Sequence, residues 1–195
     1  MNERIKNIET TVLSDAHYTL KKMTFDYRGN DGKWVQQMRE IFNRGDGVVA
    51  LLYNMKNQTI LLTEQFRMPT YVNQNATGML LEACAGELDE KDPEAAIVRE
   101  IQEETGYRLD KVKKVFEAYT SPGAMTEILH YYIATYSESE KVSEGGGLAS
   151  ENENITLKEY SFDRASQLLT SGNIKDAKTI ILLQYAQLNI FGKTE

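Results

Sequence analysis

An acidic segment in the middle of the chain limits the possible folds more than any other feature. From Arg99 to Tyr107 it reads Arg-Glu-Ile-Gln-Glu-Glu-Thr-Gly-Tyr. Glu100 and Glu104 are four residues apart, so on a helix their side chains leave one face with Cβ atoms roughly 5–6 Å apart. Like charges at this spacing repel, but a divalent cation removes the conflict, because Mg²⁺ takes carboxylate and phosphate oxygens as ligands. A solvated acidic face is the alternative interpretation.

The preceding residues predict a strand, a loop and the start of this helix. Met79–Gly86 is mostly apolar, interrupted by Glu82, and has the length and composition of a strand. Asp92–Glu94 has the pattern of an N-cap, an N1 proline and an acid at the positive end of a helix. Gly106 is expected to end the helix. Gly86 would allow close approach of the backbone to a ligand, and neighbouring carbonyls would add oxygen ligands.

This strand, loop and helix resemble the Nudix box, the signature of Mg²⁺-dependent hydrolases of nucleoside diphosphates linked to another group. Every specified position of its helical half matches, from Arg99 to Tyr107. The first half departs from the common pattern, since Gly86 to Glu100 is one residue shorter and Asp92 stands where a glutamate is usual. The resemblance implies an α/β fold, a Nudix-type α/β/α sandwich on a mixed sheet.

Further segments across nearly the whole chain resemble one Nudix subfamily, which hydrolyses GDP-mannose to GMP and mannose 1-phosphate and shares the shortened box. These segments are residues 13–15, 38–40, 44–45, 51–54, 64–67, 83–86, 121–123, 126–127, 145–147 and 176–179. The ADP-ribose-hydrolysing subfamily, which shares the proline placed like Pro122, gives one alternative function. A non-catalytic nucleotide-sugar sensor on the same fold is another. The choice of guanine and mannose depends on the resemblance alone.

Composition excludes several other classes of protein. The chain has 195 residues, 41% of them hydrophobic, and a net charge of −7, which weighs against nucleic-acid binding. No apolar run approaches the ~18 residues of a transmembrane helix, and the N-terminus lacks a signal-peptide pattern. The single cysteine, Cys84, excludes an internal disulfide and makes us expect a cytoplasmic protein, and with two histidines a zinc site is not expected.

The pattern of strands predicts two parts. Residues 1–44 are expected to form a small N-terminal antiparallel β subdomain, with strands over 17–27 and 33–42, and residues 45–195 the hydrolase domain. In the resembling enzymes the N-terminal part reaches across a homodimer, so that both chains build each site. The polar segment 137–154, with three consecutive glycines, is predicted to be a mobile loop with a glycine hinge.

The resemblance also implies catalytic and metal-binding residues. Glu100, Glu104, the Ala85 carbonyl and Glu153 would bind Mg²⁺, and Glu103 would support them together with Arg99. Glu153 is also the candidate base, counted back from Ile155. Glu151, two residues earlier, competes with it for this role.

The remaining implied residues bind the nucleotide sugar. Arg67 would contact the diphosphate, with a surface ion pair as the alternative. Glu127 and Lys178 would lie near the sugar phosphate, or else be plain surface charges. His17 stands where a tyrosine is expected and would stack on a purine, and Met38 stands where the relatives tend to be basic. For Arg39 and Glu40, cross-strand pairing is the alternative. The implied substrate-binding set is His17, Met38, Arg39, Glu40, Arg67, Ala85, Gly86, Glu87, Glu127 and Lys178.

Overall fold

The computed structural model describes residues 3–89 and 91–192. Contacts divide the chain into two units. The first unit contains the described residues up to Asp46 together with Ala118–Leu129. The second contains Gly47–Glu117 and the described residues from His130 onward.

The first unit is built on a three-stranded antiparallel sheet in the order β1-β2-β3. Its strands are β1 (Ile5–Asp15), β2 (Thr19–Arg28) and β3 (Trp34–Asn43). The predicted β2–β3 hairpin is confirmed, with Thr19 opposite Asn43 at one end and Arg28 opposite Trp34 at the other. Strand β1 was not predicted, because its exposed residues show no alternation between apolar and polar positions.

The second unit is built on a seven-stranded mixed sheet. Strands run in the order β10-β5-β4-β9-β8, with β6 beside β5 and β7 beside β4. The strands are β4 (Gly47–Asn54), β5 (Thr59–Phe66), β6 (Met79–Glu82), β7 (Cys84–Glu87), β8 (Lys113–Tyr119), β9 (Ile128–Thr135) and β10 (Thr156–Ser161). The α-helices are α1 (Met68–Val72), α2 (Pro93–Thr105), α3 (Phe162–Thr170) and α4 (Ala177–Asn189). Short 3₁₀ turns cover Glu138–Glu140 and Ala149–Glu151.

The core of the second unit lies on both faces of β4. Val48, Ala50 and Leu52 pack with Ala96, Ile97 and Ile101 of α2 in one buried cluster. Alternation along the strand turns Val49 and Leu51, both fully buried, to the opposite face. Helix α4 also contacts β4 and contributes the buried Leu182 and Leu183. A strand that is buried on both faces has a continuous apolar sequence, as β4 does. The predicted α/β/α sandwich is confirmed.

The loop between β8 and β9 belongs to the first unit although it is distant in sequence. The Phe42 amide donates to the Ala124 carbonyl at 2.8 Å, and the Thr126 amide donates to the Phe42 carbonyl at 3.2 Å. Asp46 accepts a hydrogen bond from the Ile128 amide at 2.8 Å. These bonds join residues about 80 positions apart, so no local pattern could have predicted them.

The apolar run predicted as one strand over 79–86 divides at Ala83. Strand β6 pairs with β5, placing Glu82 opposite Thr63, whereas β7 pairs with β4, placing Ala85 opposite Val49. Glu82 and Ala85 therefore lie in one short segment, and its first part pairs with β5 while its second part pairs with β4. Among the helices that the structure describes, none has the length and apolar character needed to cross a membrane.

Candidate active site

Helix α2 has the ends that the sequence predicts. Asp92 caps the first turn, accepting a hydrogen bond from the Glu94 amide at 3.0 Å, and Pro93 is the first helical residue. Gly106 ends the helix with a left-handed φ of 78° and donates its N–H to the Gln102 carbonyl at 3.0 Å. The acidic segment is therefore a helix of defined length, and its glutamates have fixed positions on the helix surface.

The packing of α2 directs two glutamates toward β7. Ile101 is fully buried in the core, and Glu104, one turn from Glu100, is only 3% exposed. Its Oε2 accepts a hydrogen bond from the Ala85 amide at 3.2 Å. The Glu100 carboxylate lies so close to Gly86 that a Cβ there would be 2.1 Å from Glu100 Cδ. Gly86 was expected to allow approach to a ligand, and the structure shows that it makes room for Glu100.

Arg99 holds the two more exposed glutamates. Its Nη1 lies 3.0 Å from Oε1 of Glu100 and 3.1 Å from Oε2 of Glu103. Because one guanidinium group pairs with both carboxylates, it reduces their mutual repulsion. Glu103 thus contacts Arg99, and the role of the two residues in supporting the metal-binding residues stays a prediction.

The buried Glu104 is the most perturbed carboxylate in this cluster. Burial raises its pKa to about 8, and the charges of Glu100 and Glu153 act in the same direction. Hydrogen bonds from the Cys84 thiol and the Ala85 amide oppose the increase. Burial also raises the pKa of the Cys84 thiol, with a further contribution from Glu104, so Cys84 is a buried neutral donor and not a nucleophile. The thiol contact was not anticipated from the sequence.

The glycine run is attached to the end of α2 and does not form the free hinge that was expected. The Gly146 amide donates to the Glu104 carbonyl at 2.9 Å, and the Gly147 amide donates to the Glu103 carbonyl at 3.1 Å. These carbonyls belong to the last turn of the helix, which lacks partners within the helix. Gly145, Gly146 and Gly147 all have positive φ values, of 68°, 108° and 81°. Three left-handed residues in a row require glycine, and the result is a cap on the helix.

The same loop places Glu153. Its Oε2 accepts a hydrogen bond from the Leu148 amide at 2.9 Å. A Cβ on Gly147 would lie 2.4 Å from that oxygen, so the glycine leaves the space that the carboxylate occupies. The charge of Glu153 contributes to the raised pKa of Glu104. The side chain of the competing Glu151 lies outside the described residues.

The chemistry of this cluster fits a hard divalent cation. The charges of Glu100 and Glu153 help to raise the pKa of Glu104. The Glu104 carboxyl therefore carries a proton at neutral pH unless a bound cation takes the place of that proton. Within residues 3–89 and 91–192, no three histidine, cysteine or acidic side chains are already arranged to hold a metal ion. One oxygen of Glu100 pairs with Arg99 at 3.0 Å, and one oxygen of Glu153 accepts a hydrogen bond from the Leu148 amide at 2.9 Å.

Arg67 and Lys178, two predicted substrate-binding cations, meet at a single buried carboxylate. Arg67 Nε lies 2.7 Å from Oε2 of Glu82, and Lys178 Nζ contacts Oε1. The Lys178 side chain is only 16% exposed, so a plain surface charge is the wrong interpretation for this residue. The Arg67 side chain is 39% exposed, but its partner Glu82 is 5% exposed, so the pair is partly buried. The sequence contained a signal for Glu82, because it is the one charge within an apolar strand.

The first unit carries five of the predicted substrate-binding residues, and three others, Ala85, Gly86 and Glu87, lie in β7 of the second unit. His17 lies in the exposed turn between β1 and β2. Glu40 of β3 lies opposite Lys22 of β2. Glu127 is 4% exposed and pairs with Arg44 at 3.1 Å, which contradicts its interpretation as a surface charge. Within this unit a pocket of about 450 Å³ has walls that include Arg39, Ile41, Tyr119, Pro122, Met125 and Thr126. Met38, beside Arg39, is 50% exposed.

Comparisons with known proteins give matches along nearly the whole chain. Residues 4–42 match the family described as "GDP-mannose pyrophosphatase NudK N-terminal domain", and residues 43–183 match the NUDIX domain. A GDP-mannose pyrophosphatase of Yersinia pestis (strain Pestoides F) is 51% identical over 191 residues, which cover 98% of this chain and 96% of that protein. A protein of the same name from Salmonella arizonae is 44% identical over 189 residues, covering 97% and 98% of the two chains.

Proposed function

Because this chain belongs to the Nudix hydrolase family, we propose that it hydrolyses the diphosphate bond of GDP-mannose, giving GMP and mannose 1-phosphate. The observation that carries the proposed reaction is the buried Glu104 beside Glu100 at the end of α2. The proposed substrate is supported by the names of relatives that are 44–51% identical along almost the entire chain.

Mg²⁺ is the proposed cofactor, with Glu100, Glu104, Glu153 and the Ala85 carbonyl as its ligands. Nudix hydrolases generally use a divalent metal ion. A bound divalent ion neutralises the diphosphate and polarises the phosphorus for attack by water. The support from this chain is electrostatic: the carboxylates of Glu100, Glu104 and Glu153 interact repulsively, and the cation would relieve that repulsion.

The protein residues hold the reacting groups in this proposal. Glu153 acts as general base and takes a proton from the attacking water, a role that contributes about 10²–10⁴-fold to the rate in enzymes. Arg67 and Lys178 bind phosphate oxygens through charged hydrogen bonds. Glu103 and Arg99 keep Glu100 in place through the contacts described above.

We infer that the active form is a homodimer in which the N-terminal β subdomains, residues 1–44, are exchanged between hydrolase domains formed by residues 45–195. Strand β1 is exposed along almost its whole length. Large apolar side chains of this sheet are also exposed, among them Ile8 at 58%, Val12 at 54% and Val35 at 57%. Exposed apolar groups clustered on one small sheet are typical of an interaction surface. A cytoplasmic location remains part of the proposal, on the ground of the single cysteine.

Light scattering tests the dimer. The wild-type protein is expected to elute with twice the mass of one chain, and Val12→Asp to shift it toward the monomer and lower its activity. A wild-type protein that is monomeric and fully active would refute the exchanged dimer.

Competition between GDP-mannose and ADP-ribose tests the substrate. Purified protein with Mg²⁺ is expected to show the higher kcat/KM for GDP-mannose. A clear preference for ADP-ribose would overturn the proposed substrate and leave the Nudix chemistry standing. Tight binding of a nucleotide sugar without turnover at saturating Mg²⁺ would instead identify a sensor.

The variant Glu100→Gln tests the carboxylate cluster. It removes one charge at nearly constant size, and kcat is expected to fall by at least about 10²-fold, near 2.7 kcal/mol of barrier. The control is Glu94→Gln, which makes the same change at an exposed position in the first turn of α2. Near-normal turnover of Glu100→Gln would contradict the proposed mechanism.

A further inference from the structure

We propose that Glu82 is a positioning residue that holds Arg67 and Lys178 side by side to receive the diphosphate of the substrate. This inference rests on the proposed function. The carboxylate is 5% exposed, and each of its oxygens takes a different cation: Oε2 pairs with Arg67 Nε at 2.7 Å, and Oε1 pairs with Lys178 Nζ. The two cations compensate the buried charge of Glu82, and removing that charge would leave both cations without it.

The geometry leaves donors available on both cations. Glu82 engages Arg67 through Nε, so this pair leaves the two terminal amino groups, with four of the five guanidinium N–H donors, for another acceptor. The Arg67 side chain is 39% exposed, so part of it faces solvent. Lys178 uses one N–H for Glu82 and one for Asp176, at 2.9 Å, and an ammonium group has a third.

The two cations are anchored to the segment that carries Ala85. Asp176 caps α4 by accepting hydrogen bonds from the Thr179 amide, at 2.9 Å, and from the Thr179 hydroxyl. The Thr179 hydroxyl oxygen in turn accepts a hydrogen bond from the Ala83 amide at 2.7 Å. Ala83 lies between Glu82 at the end of β6 and Ala85 in β7, so α4 holds this connection in place. The segment that carries Glu82, the common partner of both cations, thus also carries a predicted metal ligand.

The cation pair is also electrostatically linked to the carboxylate cluster. Burial lowers the pKa of Arg67, but the charge and hydrogen bond of Glu82 and the charges of Glu104 and Asp176 together outweigh burial, so the pKa is raised. Arg67 therefore lies within the field of the residue that we assign to the metal. A diphosphate has oxygens enough to contact a metal ion at one end and the cation pair at the other. Because the chain has a net charge of −7, binding of an anionic substrate requires cations that are fixed at the site.

The variant Glu82→Gln tests this role, because it keeps the size of the side chain and removes the charge. KM for GDP-mannose is expected to rise by about tenfold or more, and kcat to change by less than about threefold. Calorimetry with GDP and Mg²⁺ is expected to give a similar loss of affinity. The control is Glu64→Gln on β5, which breaks a half-exposed pair with Lys158 at 3.2 Å and should leave both constants unchanged.

A double-mutant cycle separates positioning from general destabilisation. If Glu82 acts through Lys178, then Glu82→Gln combined with Lys178→Met should weaken GDP binding by clearly less than the product of the two single effects. If Glu82→Gln fails to fold, Glu82→Asp replaces it: the shorter side chain withdraws the carboxylate from the cations and should raise KM above the wild-type value, and an unchanged KM would overturn the positioning role.

Each outcome has one meaning. A wild-type protein that neither cleaves nucleotide sugars nor binds GDP overturns the proposed function, and this inference falls with it. Normal KM and normal GDP affinity in Glu82→Gln, with an active wild type, overturn the positioning role alone. The positioning role is also overturned if the double variant loses GDP affinity by the full product of the two single effects.

Discussion

Replacing the buried Glu104 by glutamine should stabilise the metal-free protein, and by an amount that depends on pH. The folded protein raises the pKa of this carboxyl from 4.5 to about 8, chiefly through burial. Between these two values the native state binds one proton more than the unfolded state. Stability contributed by the carboxyl is therefore greatest below about pH 4.5 and is lost as the pH rises toward 8.

The size of the effect follows from the width of that window. Each pH unit inside it costs the native state about 1.4 kcal/mol, so the free energy of unfolding should fall by roughly 2–3 kcal/mol between pH 5 and pH 7. Glutamine resembles the protonated acid and does not titrate. The Glu104→Gln variant should thus match the wild type near pH 5 and exceed it progressively up to pH 8.

Denaturant unfolding with EDTA, at several pH values, measures this difference directly. The control is Glu103→Gln on the same helix, where the wild-type carboxylate is 24% exposed and paired with Arg99. Adding Mg²⁺ at pH 8 should make the wild type more stable than Glu104→Gln, because the ion binds the wild type and the variant lacks one of its ligands. Parallel curves of stability against pH for the wild type and Glu104→Gln would refute the reasoning.

Two further predictions concern the loop after β9. Glu153→Gln should lower kcat by about 10²-fold or more, whereas Glu151→Gln should have a mild effect, and steady-state kinetics showing the opposite order would mean that Glu151 is the functional residue. Gly147→Ala and Gly146→Ala should both lower Tm, since each places a Cβ at a positive φ, but only the former displaces the Glu153 carboxylate. Gly147→Ala should therefore also reduce kcat, and equal activities of the two variants would argue against that displacement.

The helix and its charge pattern could be predicted because their causes are local. Asp92 and Gly106 end α2 through bonds to residues within four positions, and such caps are visible in sequence. The spacing of Glu100 and Glu104 places both on one face of any helix. The hairpin of β2 and β3 likewise follows from a glycine-rich turn between two strand-forming segments.

The partners of those residues could not be predicted, because they are distant in sequence. The role of Glu82 depends on Lys178, which the fold brings to it across 96 positions. The Gly145–Gly147 run is typical of flexible segments when considered alone, and only its contacts with the end of α2 make it a cap. Strand β1 has no amphipathic pattern of its own and exists through pairing with β2.

The sequence by itself therefore determined the elements that depend on neighbouring residues: the acidic helix, its caps, the hairpin, and the resemblance carried by the glutamates of the box. Only the tertiary structure decided that Glu104 is buried with a raised pKa, that Gly86 makes room for Glu100, and that one carboxylate holds two cations. The physical reason is that burial and charge pairing are set by all surrounding groups, most of which come from other segments of the chain.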